Sequence, residues 1–505
     1  MTSRIAIFWP GDYRAKPNEQ ALPHMAGATA QLEKALAKLG RASYRIDGYL
    51  TKPHEAIEKL GPVDDPLIGV YVHWVYGPHT TDGVVGKDTP LLLASNFSGT
   101  WPGLVGLLNS GACLESVGRR FSRVWTEAED WTKDAAYMAR LDEWCSTGRI
   151  AYPEDEIRYH AAISPEAAAL AGDVASDIRH RRVLALMLGD TSMGMINGYF
   201  GPRLLNPIGF TEHKVDQAWI VERGRAIDAK RIDDAYAFVK GKGVVFHYGE
   251  KGAKDFDEAA TKEQLRDYLV VLDLMDEFKA DCLGWQYQLG LIGLRPPSDF
   301  AEGLFNSTCR PESNNDTIVD STEADQGNLV PMELMKRLLK AKGLHQAVFF
   351  HDIRWGGEHA GRFVWVLLNS GSSGAYAFSH DPNTLKGVHS YRQPAGYFPV
   401  PGGTFSGVSL PGQVTWSRAY IKGGDLWMDV GRGAVAELPE AKREAWWKGT
   451  TREWPLMATD LGISRDTLMA HYFSNHVAVA YGDIFEEMVA LSQELGFKVR
   501  ILGGA

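Results

Sequence analysis

The sequence predicts an α/β protein: two Rossmann-like α/β domains followed by a mostly antiparallel, β-barrel-like C-terminal domain. Three observations predict it. Over the first 165 or so residues, short apolar runs alternate with helical patterns. A second alternating series follows. After about residue 345 the long helices disappear and strand-like runs succeed one another through short turns. Strands alternating with helices of about 10 to 15 residues imply βαβ units and a parallel sheet covered on both faces. Strands joined by short turns imply an antiparallel, barrel-like arrangement.

In the first series RIAIFWP, ASYRIDGYL, LIGVYVHWVYG, TPLLLASN and SRVWTE read as strands, with GATAQLEKALAKLG, WPGLVGLLNSGACLESVG and DWTKDAAYMARLDEWC as helices. The second series runs from RRVLALMLGD through VVFHYG and the helix TKEQLRDYLVVLDLMDEFK to DCLGWQYQLGL. The third holds AVFFHDI, RFVWVLLNS, GAYAFSH, GTFSGVSL, QVTWSRAYI and DLWMDVG, and closes with a strand, a helix and a last strand over 474–502. The expected domains are therefore 1–165, 166–345 and 346–505. A chain of 505 residues is too long for one core.

Composition narrows the function. Net charge is −10, so neither a nucleic-acid partner nor an anionic membrane is expected. No run approaches the ~20 apolar residues that span a bilayer. The N-terminal MTSRIAIFWPGD has no basic start or long apolar segment, so no secretory signal is expected and the chain is read as cytoplasmic. Cys113, Cys145, Cys282 and Cys309 are scattered without a CxxC pair, as reduced structural thiols are.

Chemistry concentrates at three places. DSTEADQGN, at 320–328, puts Asp320, Glu323 and Asp325 into a polar stretch before the amphipathic LVPMELMKRLLKAKG. The run AVFF then ends in HDIRW, which carries Asp352. In FSNHVAVAYGD, Asn475 and His476 open an apolar strand, at the kind of strand end where ligand groups project; His471 is a nearby competitor. Carboxylates with an imidazole suit Mn²⁺, Mg²⁺ or a similar ion. Spacing alone fits helix-capping acids, surface charges and a structural histidine better than a metal site. TSMGMING at 191–198 lacks both GxGxxG and GxxxxGK[ST], so no nucleotide cofactor is expected and a turn at an interdomain site is the better reading. Trp74, at the end of a buried strand, can stack on a sugar face or fill the core.

Taken in order, WVYG (74–77), NFSGTWPG (96–103), SMGM (192–195), SDFAEGLFNS (298–307), TEAD (322–325), HDIRW (351–355), NSGS (369–372) and SNH (474–476) resemble the L-fucose isomerase family. The resemblance implies interconversion of an aldose and its ketose, such as L-fucose or D-arabinose, with a manganese ion (magnesium or cobalt as alternatives) held by Glu323, Asp352 and His476. It implies Glu323 and Asp352 as the catalytic carboxylates. It also implies a homo-oligomer, a hexamer, with sites between subunits, so that Trp74 and Arg14 come from a neighbouring chain. Gln288 (or Gln286), Ser372, Tyr397 and Asn475 fall where sugar contacts are expected. TEAD stands where the family has TEND, and His351 precedes Asp352 where a small residue is expected. The competing readings are a sugar-binding protein on the same fold, a related metal-dependent epimerase or isomerase of a modified sugar, and a nicotinamide oxidoreductase without a glycine fingerprint.

Overall fold

In the computed structural model the described residues are 4–98, 101 and 103–503. Gly99, Thr100 and Pro102 of the NFSGTWPG motif, and the extreme ends of the expected first and third domains, lie outside them. The protein is mixed α/β, with two parallel sheets and one mixed sheet.

The first sheet is built from β1 (Ile5–Pro10), β2 (Ser43–Leu50), β3 (Leu67–Tyr71), β4 (Leu91–Asn96) and β5 (Ser122–Thr126), in the order β2-β1-β3-β4-β5. All its pairings are parallel. Helices cover both faces, so β3 and β5 are buried along their whole length, as continuous apolar runs require. The run LIGVYVHWVYG leaves the sheet at Tyr71, and Trp74 sits in the turn that follows.

The short β6 (Ile157–Arg158) belongs to the mixed sheet, and the chain next enters β7 (Val183–Leu188) through the helix Pro165–Arg181. That helix starts as its sequence demands: Ser164 Oγ accepts from Ala167 N at 3.3 Å, and proline occupies the first turn. β7, β8 (Phe210–Val215), β10 (Cys282–Trp285) and β11 (Val319–Thr322) form the second sheet in the order β11-β10-β7-β8, again parallel. β9 (Val245–Phe246) pairs instead with β14 (His389–Ser390).

The mixed sheet uses β12 (Val348–His359), β13 (Arg362–Leu368), β15 (Gly412–Lys422), β16 (Asp425–Val435), β17 (Leu456–Asp460), β18 (His476–Tyr481) and β19 (Lys498–Leu502). Its order is β15-β18-β12-β13-β17-β16-β19-β6, with β15 also paired to β16. All of these pairings are antiparallel except β16 with β19.

Two expected strands are corrected. GAYAFSH contains the short helix Tyr376–Ser379, its Ala377 and Phe378 buried beneath neighbouring chain. GTFSGVSL is largely buried but, among the described residues, makes only isolated bridges, Arg392 with Gly403, His389 with Ser406 and Val408 with Leu456. Its amides find scattered partners, Phe405 N on Gly371 O and Leu410 N on Ala377 O. A Cβ on Gly407 would come within 2.6 Å of the Phe378 ring, so the glycine lets this chain cross closely. β8, β11 and β17 are strands that the periodicity does not flag, and the helix Ala15–Lys38 begins a dozen residues before its sequence signal and carries Pro23 inside.

Gly77 joins the first sheet to the SMGM turn. A Cβ there would lie 2.4 Å from Cys113 Sγ and 2.8 Å from Gly194 O, contacts that no side chain accommodates without backbone movement. Gly77→Ala is expected to lower the free energy of unfolding by about 1–3 kcal/mol, read by urea denaturation. An unchanged midpoint would show that the two segments do not meet as described.

Candidate active site

The stretch 320–328 explains itself once folded. Asp320 to Thr322 complete β11 in the second sheet; Glu323 and Ala324 turn the chain with φ of 63° and 55°, and the helix Gln326–Ala341 begins. Left-handed backbone at two non-glycine residues costs of order 1–3 kcal/mol each and persists only where its surroundings enforce it. Here Asp325 enforces it, its Oδ1 accepting from Gly327 N at 2.8 Å as the helix cap. The turn leaves the Glu323 carboxyl at the C-terminal end of β11, on a cavity.

Asp352 and His476 reach the same cavity by register. They are direct partners across the antiparallel pairing of β12 and β18, so their side chains leave the sheet side by side. His476 Nε2 lies 2.9 Å from Asp352 Oδ1 and 3.7 Å from Glu323 Oε2. Its other nitrogen, Nδ1, is 2.7 Å from Asp325 Oδ2. The same carboxylate oxygen receives Arg418 Nη1 at 2.5 Å, and that nitrogen also donates to Asn328 Oδ1 at 3.0 Å. Arg418, Asp325 and His476 are all buried. Asp325 is thus both helix cap and imidazole holder.

The cavity is small, about 50 Å³, and gathers Arg14, Trp74, Gln288, Glu323, Asp352, Tyr397 and His476 from one chain, with Met193, Arg354, Ser370, Phe398 and Trp454 beside them. Arg14 and Trp74 follow the C-terminal ends of β1 and β3; Met193, Gln288 and Glu323 follow those of β7, β10 and β11. Ligand sites of open parallel sheets form at this edge. Arg14 and Trp74, which the resemblance draws from a neighbouring chain, line this cavity from the same chain. Arg14 is held by Asp12, Nη2 to Oδ2 at 2.7 Å, and lies over the Tyr397 ring at 5.1 Å.

Other expected contacts fall elsewhere. Ser372 turns away from the cavity, its Oγ 3.1 Å from Thr322 Oγ1 and 3.3 Å from Glu302 Oε2; Ser370 lines the cavity in its place. Asn475 is buried behind the site, with Nδ2 3.8 Å from Met195 Sδ and its carbonyl accepting from Ile353 N, because it precedes β18 and faces opposite to His476. Gln286 receives Gln217 Nε2 at 2.7 Å on the far side of its turn, which leaves Gln288 as the cavity residue. His471 bonds Pro153 O at 2.8 Å, away from the cavity. His351 is wholly buried with both ring nitrogens unpartnered, and burial pushes its pKa down to about 3. Arg354 shares the cavity with Asp352 but lies over the Trp454 ring at 4.8 Å and makes no hydrogen bond to that carboxylate.

The electrostatics are uneven. Burial pushes the Glu323 carboxyl up; His476 pulls it back, while Asp352 and Glu302 add repulsion, leaving it near 8. Burial acts the same way on Asp325, but Arg418 and the His476 hydrogen bond outweigh it and hold the pKa near 2. For His476 burial disfavours the charged ring, yet Asp325 and Asp352 raise it to about 9. Behind the cavity lie Asp299 and Glu302, which the sequence reading did not single out, together with Asp320. Burial drives all three carboxyls upward, and mutual repulsion adds to it for Asp299 and Asp320. Both Asp320 oxygens lack a partner, while Glu302 accepts from Ser298 and Thr322 hydroxyls at 2.5 Å. SDFAEGLFNS was the signal for two of them.

Two carboxylates and an imidazole whose second nitrogen is fixed by a carboxylate are the donor set of a divalent metal site. The raised Glu323 carboxyl is the surplus negative charge that a cation would offset. The donor chemistry fits. The placement brings Asp352 to His476 and leaves Glu323 at 3.7 Å, and among the described residues no group of three or more His, Cys, Asp or Glu side chains is arranged to hold a metal ion.

Residues 367–502, from β13 to the end of β19, match the family model described as L-fucose isomerase, C-terminal domain. The match covers 367–502 alone and supports membership of the L-fucose isomerase family. It contains His476; Glu323 and Asp352 lie before it. No curated protein matches the chain. Among the described residues, no helix is long and apolar enough to cross a membrane.

Removing one partner of a buried ion pair strands the other charge. Asp325→Asn leaves Arg418 uncompensated and is expected to lower the free energy of unfolding by about 3–5 kcal/mol in chemical denaturation. A loss below about 1 kcal/mol would mean that Arg418 does not depend on Asp325.

Proposed function

We propose that the protein is a metal-dependent aldose–ketose isomerase, moving a proton between C1 and C2 of an aldose through an ene-diol, with L-fucose and D-arabinose as the sugars that the family resemblance suggests. The observation that carries the reading is the convergence of Glu323, Asp352 and His476 Nε2 on one cavity beside Gln288 and Tyr397. Arg14 and Trp74 complete its wall. The family placement supports an isomerase, and the β15–β16 pairing, which returns the antiparallel strands of the mixed sheet to their start, supports the barrel-like reading of 346–505. The division into 1–165, 166–345 and 346–505, cytoplasmic location, and a homo-oligomer, a hexamer with active sites between subunits, belong to the same proposal.

Glu323, Asp352 and His476 would hold the metal, manganese by preference with magnesium or cobalt as alternatives. When bound, such an ion polarises the two sugar oxygens that exchange carbonyl character. Asp325 fixes the His476 tautomer, with Nδ1–H directed at its own carboxylate and Nε2 at the cavity. Arg418 and the His476 hydrogen bond hold the Asp325 pKa near 2 and so keep it ionised at neutral pH. Glu323 and Asp352 then do the proton work, one taking the proton from carbon and returning it to the neighbouring carbon. Without the metal, burial holds the Glu323 carboxyl up near 8, and a bound cation would lower it towards the ionised form that takes the proton. Trp74 and Tyr397 present ring faces to the sugar, and Gln288, with its Oε1 unpartnered, meets a hydroxyl.

Metal-stripped protein offered L-fucose, D-arabinose and other aldoses is expected to form ketose only after Mn²⁺ is added, and Glu323→Gln to lose turnover by at least about 10³-fold while keeping its fold. Ketose without metal, or a near-normal Glu323→Gln rate, would overturn the assignment.

The His476 ring adds a pH test. Its folded pKa, about 9, is raised above the ordinary 6.5, so below 9 the ring carries a proton that a metal must displace. Mn²⁺ affinity, measured by calorimetry in buffers of different ionisation heat, is expected to rise about tenfold per pH unit between 8 and 9, with one proton released, and more steeply from 6.5 to 8, where the Glu323 carboxyl also gives up its proton. A flat affinity over that range would exclude His476 as a ligand. In the metal-free protein, the stabilisation contributed by the charged ring is fully present below 6.5 and is lost as pH rises through 9.

A further inference from the structure

The site has a second chamber whose chemistry points to the substrate. The catalytic cavity, at about 50 Å³, has room for a few water molecules and not for a whole sugar. It adjoins a cavity of about 390 Å³, and Arg354 and Tyr397 line both. A substrate with C1 and C2 at Glu323 and Asp352 must extend its far end past these two residues into the larger space.

That space is cationic in a chain whose net charge is −10. Its charged lining residues are Arg354, Lys448, Arg452 and, as the carboxylate among them, Glu453. Among the described residues the Arg354 side chain makes no hydrogen bond or ion pair; its guanidinium lies over the Trp454 ring, 4.8 Å from its centre. Lys448 is exposed and has no ion pair. Arg452 is stacked on Trp447 at 3.6 Å and spends one edge on Glu444 at 3.2 Å, while its Nη1 is buried without a partner. Aromatic rings thus orient two guanidinium groups whose remaining N–H donors are unused. Such donors read an oxyanion through paired, charge-assisted hydrogen bonds. A neutral sugar terminus would leave these cations without the partner they are placed for, at a cost in discrimination that hydroxyl-reading sites avoid with amides and hydroxyls.

We infer that the substrate is an aldose bearing an anionic group, phosphate or carboxylate, at the end remote from C1, held by Arg354, Lys448 and Arg452. The inference rests on the isomerase reading above and narrows its substrate class.

The test compares D-arabinose 5-phosphate with D-arabinose, and D-glucuronate with D-glucose, as substrates of the Mn²⁺-loaded full chain. At least one anionic member is expected to exceed its neutral partner in kcat/KM by about tenfold or more. The pair showing the preference tells phosphate from carboxylate. Arg354→Gln and the exposed Lys448→Gln are each expected to cut that ratio several-fold, chiefly through KM, and raised salt to cut it further. Equal or better turnover of the neutral sugars, or a ratio indifferent to both variants, overturns the inference while leaving the isomerase standing. If no aldose is turned over, tryptophan fluorescence titrations with the same four compounds decide. Anion-selective binding weakened by Lys448→Gln upholds the anion site and sinks the isomerase reading; binding without anion preference, or none, overturns the inference.

Discussion

The site depends on one buried chain of charge, Arg418 to Asp325 to His476. Each link is wholly or almost wholly out of water, where an unpaired charge is costly. Asp325 answers three demands at once: the amide of Gly327 at the helix start, the guanidinium of Arg418 from β15, and the ring of His476 from β18. One residue therefore ties the second sheet's last strand and its helix to two strands of the mixed sheet. Because His476 gives Nδ1 to Asp325, Nε2 can only face Glu323 and Asp352. The imidazole's orientation is a consequence of core packing and not a property of a loop.

Everything else about the cavity follows from where strand ends meet. The two parallel sheets both direct their C-terminal edges inward, and the mixed sheet closes the space with neighbouring residues of β12 and β18. A carboxylate from a left-handed turn and a carboxylate from a strand approach one imidazole from two sheets. The surplus charge, together with Asp299, Glu302 and Asp320 behind it, keeps this region acidic, whereas the adjoining chamber of Arg354, Lys448 and Arg452 is basic. The polarity runs along the path that a substrate would occupy.

Much of this was legible in the sequence. Alternation of apolar runs and helices gave the parallel sheets, because a strand buried on both faces has no other way to read. Glu323, Asp352 and His476 stood out as polar groups at the ends of apolar runs, and Asp325 as a capping acid. What escaped had physical reasons. β11 is four residues long and polar in three of them, its Ser321 hydroxyl bonding the Asp325 carbonyl and its Thr322 hydroxyl the Glu302 carboxyl rather than packing. GTFSGVSL alternates like a strand but finds its partners one at a time. Ser372 and Ser370 are two residues apart on an irregular loop, and no periodicity tells which of them turns to the cavity. Arg418, in the middle of QVTWSRAYI, looks like an ordinary strand residue until Asp325 is found beside it. The match to the family's C-terminal domain likewise holds His476 but not its two carboxylate neighbours, so the site is visible only when the sheets are assembled.

The most direct test of the account is the position of the metal in crystals grown with MnCl₂, located by anomalous scattering at the manganese edge. The account predicts one strong peak within coordinating distance of the Glu323 and Asp352 carboxylates and of His476 Nε2, with Nδ1 still on Asp325. A peak elsewhere, or none at this cavity while the triad stays hydrogen-bonded, would contradict it.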